Sequence, residues 1–561
     1  MIKYILPAIT AAIFMTVSAY AAPAMPNIGD ALKQVAPPRE VIPEKQPVPE
    51  IKQYEKPALK SIDTKTVYVK SFKITGNSAI KTEILSEIAN KAENIGRDMT
   101  LKDIQAVASQ ITRYYRAHGY FVARAYIPVQ SMVDGIVEIT VLEGSYGKFQ
   151  LHNSSHVKDR IIKGMLDDVK DSNIISTNTI ERAMLIINDT PGARVTQADV
   201  TPGEEIGTSD FIITASGTSR INGYIMADNA GSRYTGTSRL MAGAWLNSPF
   251  GLGDRLFVSG LVSSGSDLTN GRIAYSLPLT YSGMRGELAY SRTNYSLTEE
   301  YDALDAEGNS DNIEMNFSYP VIRTRLENLK VTVNFISRDM EDKINSLGSD
   351  IRKDSKSAEA GLIYSRQNAL LGVYCKTELS GTLTYGKLSF DSAEDERRDK
   401  AGADTEGTYS KIKLNLANSF IFSPKWTFKA ALTAQSSLGG KNLDGSEDLS
   451  IGGLYGVKVF PSGEVSAENG YILNAELLYS LPAYKGIGSQ ISVFADNAAV
   501  TAADDYADNG DTTLSDAGLG LYVNYNTFFV KAYYAFVVGG RQVESEPEYS
   551  DRLLVQAGMS F

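Results

Sequence analysis

Candidate catalytic and metal-binding residues are sparse in this chain of 561 residues. The histidines His118, His152 and His156 give no zinc or catalytic-triad pattern, because His152 and His156 can share a helix face but lack a third ligand. Acidic clusters occur in polar loop sequence and miss the EF-hand spacing: Asp302, Asp305 and Glu307, then Asp504, Asp505 and Asp508. The sequence contains no phosphate-binding loop motif. We therefore predict no catalytic residues, no metal, no cofactor and no enzymatic activity.

Lys458 stands in an unusual setting for a charged residue. The stretch SIGGLYGVKVFPSGEVSAENG, residues 450–470, is rich in glycine and contains this one cation. Large apolar side chains surround the cation in the sequence: Leu454, Tyr455, Val457, Val459 and Phe460. A loop this apolar is normally covered by protein. The sequence therefore raises the question of what covers the loop and which anion pairs with Lys458.

The N-terminal sequence predicts export from the cytoplasm. Lys3 precedes an apolar run at residues 4–17, and Ala19-Tyr20-Ala21 forms a cleavage site, so residues 1–21 are predicted to be a signal peptide. Residues 22–66 are predicted to be a proline-rich linker, in which the segment GDALKQV is compatible with a short helix. The formal net charge of −11 argues against a nucleic-acid partner. Cys375 is alone, so no intrachain disulfide can form.

Two tandem α+β units follow the linker. Residues 67–143 run from the strand VYVKSFKITGN through two helical segments to the strands FVARAYIPV and GIVEITVLEG. Residues 144–216 repeat this β-α-α-β-β order, from GKFQLHN to DFIITAS. The arrangement resembles POTRA domains, the periplasmic modules of Omp85-type outer-membrane proteins. We predict POTRA domain 1 at residues 67–143 and POTRA domain 2 at residues 144–216.

From residue 217 to residue 561 the pattern alternates as in β-strands. Seven short turns are marked near residues 249, 278, 320, 365–368, 424, 482 and 525–528. Eight longer polar loops lie near residues 228–237, 264–270, 296–311, 340–354, 389–406, 436–470, 496–515 and 538–550. These connections separate sixteen antiparallel strands, with short turns at one end and long loops at the other. The pattern predicts an outer-membrane β-barrel, whose closure pairs every backbone group as a bilayer requires.

The last strand supports the same architecture. The chain ends RLLVQAGMSF, in which alternate residues from Leu553 to Phe561 share one face. A terminal strand that closes on phenylalanine resembles the signal read by the barrel-assembly machinery, so Met559 and Phe561 are predicted to form that signal. A soluble β-repeat protein is the alternative, and the unequal loop lengths argue against it.

The chain as a whole resembles the TpsB transporters, the two-partner secretion branch of the Omp85 superfamily, which includes haemolysin and filamentous-haemagglutinin transporters. The barrel entry MADNAGSRYTGTSRLMAGAWLNSPFGLGDRL and the segment IINDTPGARV carry the resemblance beside the POTRA pair. In that family the sixth extracellular loop folds into the pore, and the arginine of its V-R-G-[YF] tip pairs with an aspartate of F-x-D-x-G on strand 13. Our count makes residues 436–470 the sixth loop and places SVFADNAAV at the end of strand 13.

The resemblance implies site residues for this chain. The loop tip corresponds to Val457, Lys458, Val459 and Phe460, and the strand-13 motif to Phe494 and Asp496. The barrel lumen would cover the loop, and Lys458 would pair with Asp496. Lysine lacks the planar fork of arginine, and Val459 and Ala498 replace the family's glycines. We therefore expect the loop to lie in the lumen, with the Lys458–Asp496 pair holding it more weakly than the arginine–aspartate pair of the family does.

The resemblance also implies the function. An unfolded secreted β-helical exoprotein (a TpsA-like client) would dock on POTRA domain 1 by β-augmentation, at the edge strand 122–129 and the helix 101–117. The docking candidates are Tyr114, Tyr115, Tyr120, Phe121 and Tyr126, with the domain's own core as the alternative role for them. The barrel would lie in outer-membrane lipid of a Gram-negative bacterium, with the POTRA domains in the periplasm. The alternatives are a barrel-insertion factor and, third, a passive porin or receptor.

Overall fold

A computed structural model describes residues 25–35, 49, 51–53, 65–370, 372–504, 511–540, 543, 545–546 and 550–561. The predicted signal peptide and most of the predicted linker lie outside these ranges. The described part of the linker contributes helix α1 (Ile28–Gln34) and strand β1 (Ile51–Gln53). Within the described residues, no helix is long and apolar enough to cross a membrane.

The first α+β unit packs its helices on a small sheet. Strand β3 pairs parallel with β6, and β6 pairs antiparallel with β5, so β5 lies at one edge. Helix α3 begins at a capping box in which Thr100 and Asp103 satisfy each other's backbone N–H. Its apolar face joins the core through Ile104, Val107 and Ile111. The elements are β2 (Thr66–Val69), β3 (Ser71–Thr75), α2 (Thr82–Ala89), β4 (Arg97–Thr100), α3 (Leu101–Ala117), β5 (Arg124–Tyr126) and β6 (Ile136–Leu142).

The second α+β unit has the sheet order β1-β8-β9-β7. The linker strand β1 therefore belongs to this sheet, where it pairs parallel with β8. The core lies between the sheet and α5, and includes Ile180, Ile187, Phe211 and Ile213. The elements are β7 (Ser145–Ser154), α4 (Asp159–Asp167), a 3-10 helix (Asp168–Ser172), α5 (Thr177–Asp189), β8 (Arg194–Pro202) and β9 (Thr208–Ser216).

The remaining described residues build a closed antiparallel barrel of sixteen strands, which confirms the predicted strand number. Its loops contain α6 (Ala393–Ala401), 3-10 helices at Ser264–Ser266, Glu299–Leu304 and Asn345–Leu347, and the short pair β21 (Leu449–Ser450) and β22 (Ser466–Ala467). The barrel strands are β10 (Ile221–Asp228), β11 (Arg239–Asn247), β12 (Arg255–Ser263), β13 (Leu268–Pro278), β14 (Arg285–Ser296), β15 (Ala306–Arg323), β16 (Glu327–Ile344), β17 (Ser349–Leu370), β18 (Val373–Phe390), β19 (Gly407–Ile421), β20 (Trp426–Ser437), β23 (Asn469–Ser480), β24 (Ile487–Thr501), β25 (Thr512–Tyr525), β26 (Phe528–Gly540) and β27 (Asp551–Ser560).

Alternation along the strands separates the two faces of the barrel wall. On β14, Leu288 and Tyr290 are exposed on the outer face, whereas Ala289 and Ser291 are buried on the inner face. Large exposed apolar residues at outward positions match a lipid-facing band. The barrel closes where β10 pairs with β27, and Phe561 extends this pairing by exchanging backbone hydrogen bonds of 2.9 and 3.0 Å with Gly223.

Two predicted turns are misplaced along the chain. Pro320 lies inside β15, at a register irregularity between Pro320 and Ile322, because a bulge accommodates the missing N–H of proline. The actual turn is at residues 324–326. The polar residues 365–368 lie inside β17, which pairs with β18 as far as Leu370. Neither shift changes the number of strands or the side of the barrel on which each connection lies.

Candidate functional site in the barrel lumen

The sixth loop, residues 438–468 between β20 and β23, folds back into the barrel. At its tip, the exposed fractions of Val457 and Phe460 are both 0%. These side chains pack on inward-facing residues of β24, including Phe494 and Ala498. The inner wall of the barrel therefore covers the apolar loop.

Lys458 is surrounded by an anion and two aromatic rings. Its Nζ donates a hydrogen bond of 2.6 Å to Oδ2 of Asp496, and the exposed fraction of the lysine is 8%. The same Nζ lies 4.4 Å from the ring centroid of Phe494 and 5.4 Å from that of Tyr533. Aromatic faces attract a desolvated cation, so both rings add to the attraction of the carboxylate. A lysine is therefore held here without the bidentate hydrogen bonding that an arginine would offer.

A second carboxylate fixes the backbone of the tip. Asp516 on β25 lies directly opposite Asp496 in the barrel wall, and its Oδ2 accepts a hydrogen bond of 2.7 Å from the backbone N–H of Val459. Asn474 on β23 donates to Oδ1 of Asp496 at 2.8 Å and to the carbonyl of Gly456 at 3.0 Å. Asp516 and Asn474 are not among the site residues predicted from the sequence. Their signal is a polar side chain at an inward position of an alternating strand.

The two glycine replacements fit the site. Val459 and Ala498 are both buried within the apolar cluster around the tip. Close backbone approach occurs elsewhere in the loop, where a Cβ at Gly456 would lie 2.3 Å from the carbonyl of Ile451. The tip therefore uses Gly456 for tight packing and fills the motif positions with side chains.

The base of the sixth loop is anchored to the opposite wall by ion pairs. Asp444 accepts from Lys353 of β17 at 2.5 Å. Glu447 lies 3.1 Å from Arg338 of β16 and 2.7 Å from Lys411 of β19. All these side chains are largely buried, so their charges depend on one another for compensation. The sequence does not reveal this anchor, because the acidic run resembles solvated loop sequence.

Helix α1 lies in the lumen beside this base. Its first N–H, on Ile28, donates to Oδ1 of Asp342 at 2.9 Å. At its other end, Arg239 donates to the carbonyl of Gln34 at 2.9 Å and pairs with Asp228 at 2.8 and 3.1 Å. An acid at the N-terminus and a cation at the C-terminus complement the helix dipole.

Glycine at position 29 allows the helix to touch the loop base. A Cβ added at Gly29 would lie 2.6 Å from the carbonyl carbon of Gly445 and 2.6 Å from the backbone nitrogen of Ser446. These are backbone atoms, so the contact cannot relax by rotation of a side chain. The helix and the loop base are therefore fitted to each other and together fill the lumen.

The docking candidates in the first α+β unit occupy different environments. Tyr115 is fully buried, so the prediction that it contacts a client is wrong: its hydroxyl donates to Glu143 at 2.8 Å inside the core. Tyr120 packs edge-on against Tyr115, and Phe121 packs on the core of the second unit. Tyr114 contacts His118, the residue that follows its helix, in a tilted arrangement with ring centroids 4.1 Å apart.

Tyr126 is the candidate that remains at the surface. It ends the edge strand β5, and 41% of the residue is exposed. The exposed apolar residues Val129, Val133 and Ile136 follow it in the next connection and at the start of β6. A strand edge flanked by an apolar patch suits an extended peptide.

Glu143 gives this unit a pH-dependent stabilisation. Burial acts to raise the pKa of Glu143, but hydrogen bonds from Ser78, Ala79 and Tyr115 outweigh it and hold the pKa below its ordinary value. Burial and the same carboxylate raise the pKa of Tyr115. A carboxyl group whose pKa is lowered by folding stabilises the fold fully at pH values above its unfolded-state pKa of about 4.3. This stabilisation is lost as the pH falls through the folded-state pKa.

We expect Glu143→Ala to destabilise the first α+β unit by about 3 kcal/mol, because buried donors lose their acceptor. Amide hydrogen exchange in the full-length chain measures the free energy of local opening. The wild-type opening energy should fall as pH drops below about 4, and the variant should lose this dependence. Glu87→Ala, at an exposed position of α2, is the matched control. Equal opening energies in the two variants would contradict the role of Glu143.

The second α+β unit is bonded to the short-turn end of the barrel. Arg182 of α5 donates to the carbonyls of Pro320 at 2.7 Å and Ser282 at 3.3 Å. Asp189, at the end of the same helix, makes a bidentate ion pair with Arg323 at 2.6 and 2.8 Å. The helix therefore fixes the unit to the end of the barrel that carries the short turns. Nothing in the sequence analysis predicted this junction.

Among the described residues, no group of three or more His, Cys, Asp and Glu side chains is arranged to hold a metal ion. The lumen instead combines a returning loop, a helix and buried ion pairs, beneath which two α+β units are attached. The chain is also similar to known proteins. Residues 207–523 match the family described as haemolysin secretion/activation protein ShlB/FhaC/HecB, and residues 67–144 match the ShlB-type POTRA domain. The chain belongs to the ShlB/FhaC/HecB family.

Curated relatives agree with this membership. The heme/hemopexin transporter protein HuxB of Haemophilus influenzae strain 86-028NP is 26% identical over 403 residues, covering 72% of this chain and 70% of HuxB. The outer membrane transporter CdiB of Dickeya dadantii strain 3937 is 24% identical over 403 residues, covering 70% of this chain and 69% of CdiB. The chain is thus an outer-membrane transporter of the two-partner secretion type, with its POTRA domains in the periplasm, as the sequence predicted.

Solved structures share the fold. CdiB from Escherichia coli superposes with a TM-score of 0.72 at 21% identity, covering 95% of each chain. BamA from Haemophilus ducreyi lacking POTRA domains 1–3 gives a TM-score of 0.50 at 14% identity, covering 88% of this chain and all of that chain. Both likenesses concern the fold alone. The family match and the curated relatives support the transporter prediction over a barrel-insertion factor.

Proposed function

We propose that this transporter recognises one unfolded exoprotein through POTRA domain 1 and conducts it through the barrel. The observation that carries the proposal is the filled lumen, in which α1 and the sixth loop are held by specific bonds. A passive porin needs an open lumen, whereas a protein conduit must stay closed between clients. Supporting this, POTRA domains offer strand edges that suit an unfolded polypeptide.

The proposal includes a division of the chain. Residues 1–21 are a signal peptide, residues 22–66 a linker containing α1, residues 67–143 and 144–216 the POTRA domains, and residues 217–561 the barrel with its inward sixth loop at 436–470. The element order supports this division, since β9 ends at Ser216 and β10 begins at Ile221. Within the barrel, the pair of Lys458 and Asp496 acts as the latch that keeps the loop seated.

The edge strand β5 is the proposed docking site for the client. Tyr126 and the apolar residues Val129, Val133 and Ile136 provide exposed surface beside its backbone. An extended client segment would add antiparallel to β5 and gain backbone hydrogen bonds at this edge. The specificity would come from the apolar patch, because alternate client side chains would face it.

The family and the fold support the following choice of partners. The client is a β-helical exoprotein, and the similarity to HuxB, a heme/hemopexin transporter protein, makes a haem- or haemopexin-binding exoprotein the first class to test. Outer-membrane lipid surrounds the barrel, and the assembly machinery reads the terminal strand at Met559 and Phe561. The net charge of −11 disfavours a nucleic-acid partner. The chain acts as a conduit without catalysing a reaction.

Blocking the edge of β5 tests the docking proposal. Tyr126→Lys combined with Val133→Lys places two cations on the patch, and we expect secretion of the client exoprotein to be abolished. Tyr68→Lys is the matched control, since Tyr68 is exposed on β2 of the same domain. Immunoblots of culture medium measure secretion, and membrane fractions measure barrel insertion. Normal secretion by the double variant would move the docking site elsewhere.

A further inference from the structure

A cavity of about 280 Å³ lies on the inner face of the barrel wall, at its short-turn end. Arg255 begins β12 and Arg285 begins β14, so both follow a short turn, and both line the cavity. Arg285 shares the inner face of β14 with the buried Ala289, because side chains alternate along a strand. Ligand pockets occupy about 300–1,000 Å³, so this cavity suits a single side chain or a small ion.

The two arginines that line the cavity lack an anionic partner. Nε of Arg255 donates to Oδ1 of Asn247 at 2.9 Å. Arg285 donates to the carbonyl of Gly253 at 3.0 Å and to Oγ of Ser276 at 3.2 Å. All three acceptors are neutral, and neither guanidinium forms an ion pair within the described part of the chain. Guanidinium groups bind carboxylates and phosphates through paired N–H donors, so the cavity offers donors for an anion.

The carboxylates near the cavity are bonded to other groups. Glu287 lines the cavity, but its Oε1 accepts from Asn316 at 3.3 Å and lies 3.6 Å from Arg272. Arg272 itself pairs with Glu314 at 2.8 and 2.9 Å. Asp254, in the adjoining turn, accepts from a tyrosine hydroxyl and from two backbone N–H groups. Because Glu287 repels negative charge, a ligand with one carboxylate suits the cavity better than the more highly charged phosphate ion.

Aromatic rings form another part of the cavity lining. Trp245 and Phe257 both line it, and their rings are stacked with centroids 5.0 Å apart and planes 24° apart. A free inorganic anion gains little from such apolar surface. A peptide that carries a carboxylate can place its apolar atoms against these rings, which favours a polypeptide as the ligand.

The two turns beside the cavity contact POTRA domain 2. The carbonyl of Ser282, in the turn before β14, accepts from Arg182 of α5 at 3.3 Å. In the turn before β12, a Cβ at Gly253 would lie 2.3 Å from Cγ2 of Thr190, the residue after α5. The cavity therefore lies where a polypeptide that passes from the POTRA domains would enter the lumen.

We propose that Arg255 and Arg285 form a carboxylate-binding site at the short-turn opening of the barrel, which takes an aspartate or glutamate side chain of the unfolded client. This inference rests on the proposed transport function, because it assigns the carboxylate to the client. The site is separate from the proposed dock on β5 and lies on the wall of the conduit itself. It gives acidic client segments a preferred contact on entry.

Tryptophan fluorescence tests the site without any transport. The chain has two tryptophans, so Trp426→Phe leaves Trp245 in the cavity lining as the only reporter. The probes are the peptide acetyl-Gly-Glu-Gly-amide, its glutamine counterpart and inorganic phosphate, each added to the full-length chain in detergent. The acidic peptide should change the emission saturably, and the other two probes should bind about tenfold more weakly. Equal binding of the two peptides, or tighter binding of phosphate, overturns the assignment.

Variants of the arginines test the same titration. Arg255→Gln with Arg285→Gln should weaken the acidic peptide about tenfold. Arg255→Lys with Arg285→Lys keeps the charge but loses the bidentate geometry, so its affinity should be intermediate. Arg292→Gln makes the same charge change on the outer face of β14, where 49% of the side chain is exposed, and should bind like the wild type. Wild-type affinity in both double variants overturns the site.

Secretion separates this site from the transport function. The double glutamine variant should secrete the client several-fold more slowly while its barrel stays inserted in the membrane. If it binds the acidic peptide weakly but secretes at the wild-type rate, the site has no role in transport and the inference is overturned. That outcome leaves the proposed function standing, because the client is still recognised and conducted.

Discussion

Lys458→Glu should abolish most secretion while leaving the barrel inserted. The change places a third carboxylate beside the buried Asp496 and Asp516 and removes the cation that compensates them. Breaking a buried ion pair from one side costs about 3–5 kcal/mol. We therefore expect the tip of the sixth loop to dissociate from the inner wall of the barrel. Secretion and cleavage of the loop by added protease measure the two effects.

Matched variants separate pairing from simple damage. Asp496→Lys should fail like Lys458→Glu, and the double swap should recover part of the function, since contacting residues couple by about 0.5–3 kcal/mol. Lys458→Arg should be tolerated, because Asp516 offers a second carboxylate close to Asp496. Lys441→Glu makes the same charge change in the same loop and should have little effect. Additive losses with no recovery in the double swap would show that the pair does not act as a unit.

Gly29→Ala should open the lumen to ions. Alanine favours helix over glycine by about 1 kcal/mol, so the change should not weaken α1 itself. Its Cβ, however, would lie 2.6 Å from backbone atoms of the loop base. We expect the helix to be displaced from its site and the single-channel conductance in planar bilayers to rise.

Two references define the scale of this conductance change. Deletion of residues 25–35 removes α1 and sets the upper limit. Gly271→Ala is the matched control, because nothing lies within 4 Å of a Cβ at this barrel position. Closed-state conductance of Gly29→Ala equal to that of the control would contradict the proposed fit between helix and loop base.

The fold could be predicted largely from local pattern. Period-2 alternation and the contrast between short turns and long loops are local properties, and they predict the sixteen strands. Proline predicts a turn, and this prediction fails at Pro320 because a bulge tolerates proline within the strand. The polar sequence at residues 365–368 predicts a turn, although β17 continues to Leu370.

The site was predictable where a motif existed. The resemblance proposed Lys458 with Asp496, and the structure places their charged atoms 2.6 Å apart. Nothing local relates Asp444 to Lys353, which lies 91 positions away on another wall of the barrel. Tyr115 shows the opposite difficulty: an aromatic residue on a helix looks the same in sequence whether it faces the core or a client.

The junction between α5 and the barrel determines which barrel strands receive a force that acts on POTRA domain 2. Arg182 grips the carbonyl of Pro320, next to the bulge where proline cannot donate and the strand register slips. A wall missing a ladder bond is locally less stiff than its neighbours. A force on POTRA domain 2 would therefore reach this patch of β15 and β16 through α5. This patch lies on the side of the barrel away from the closure between β10 and β27.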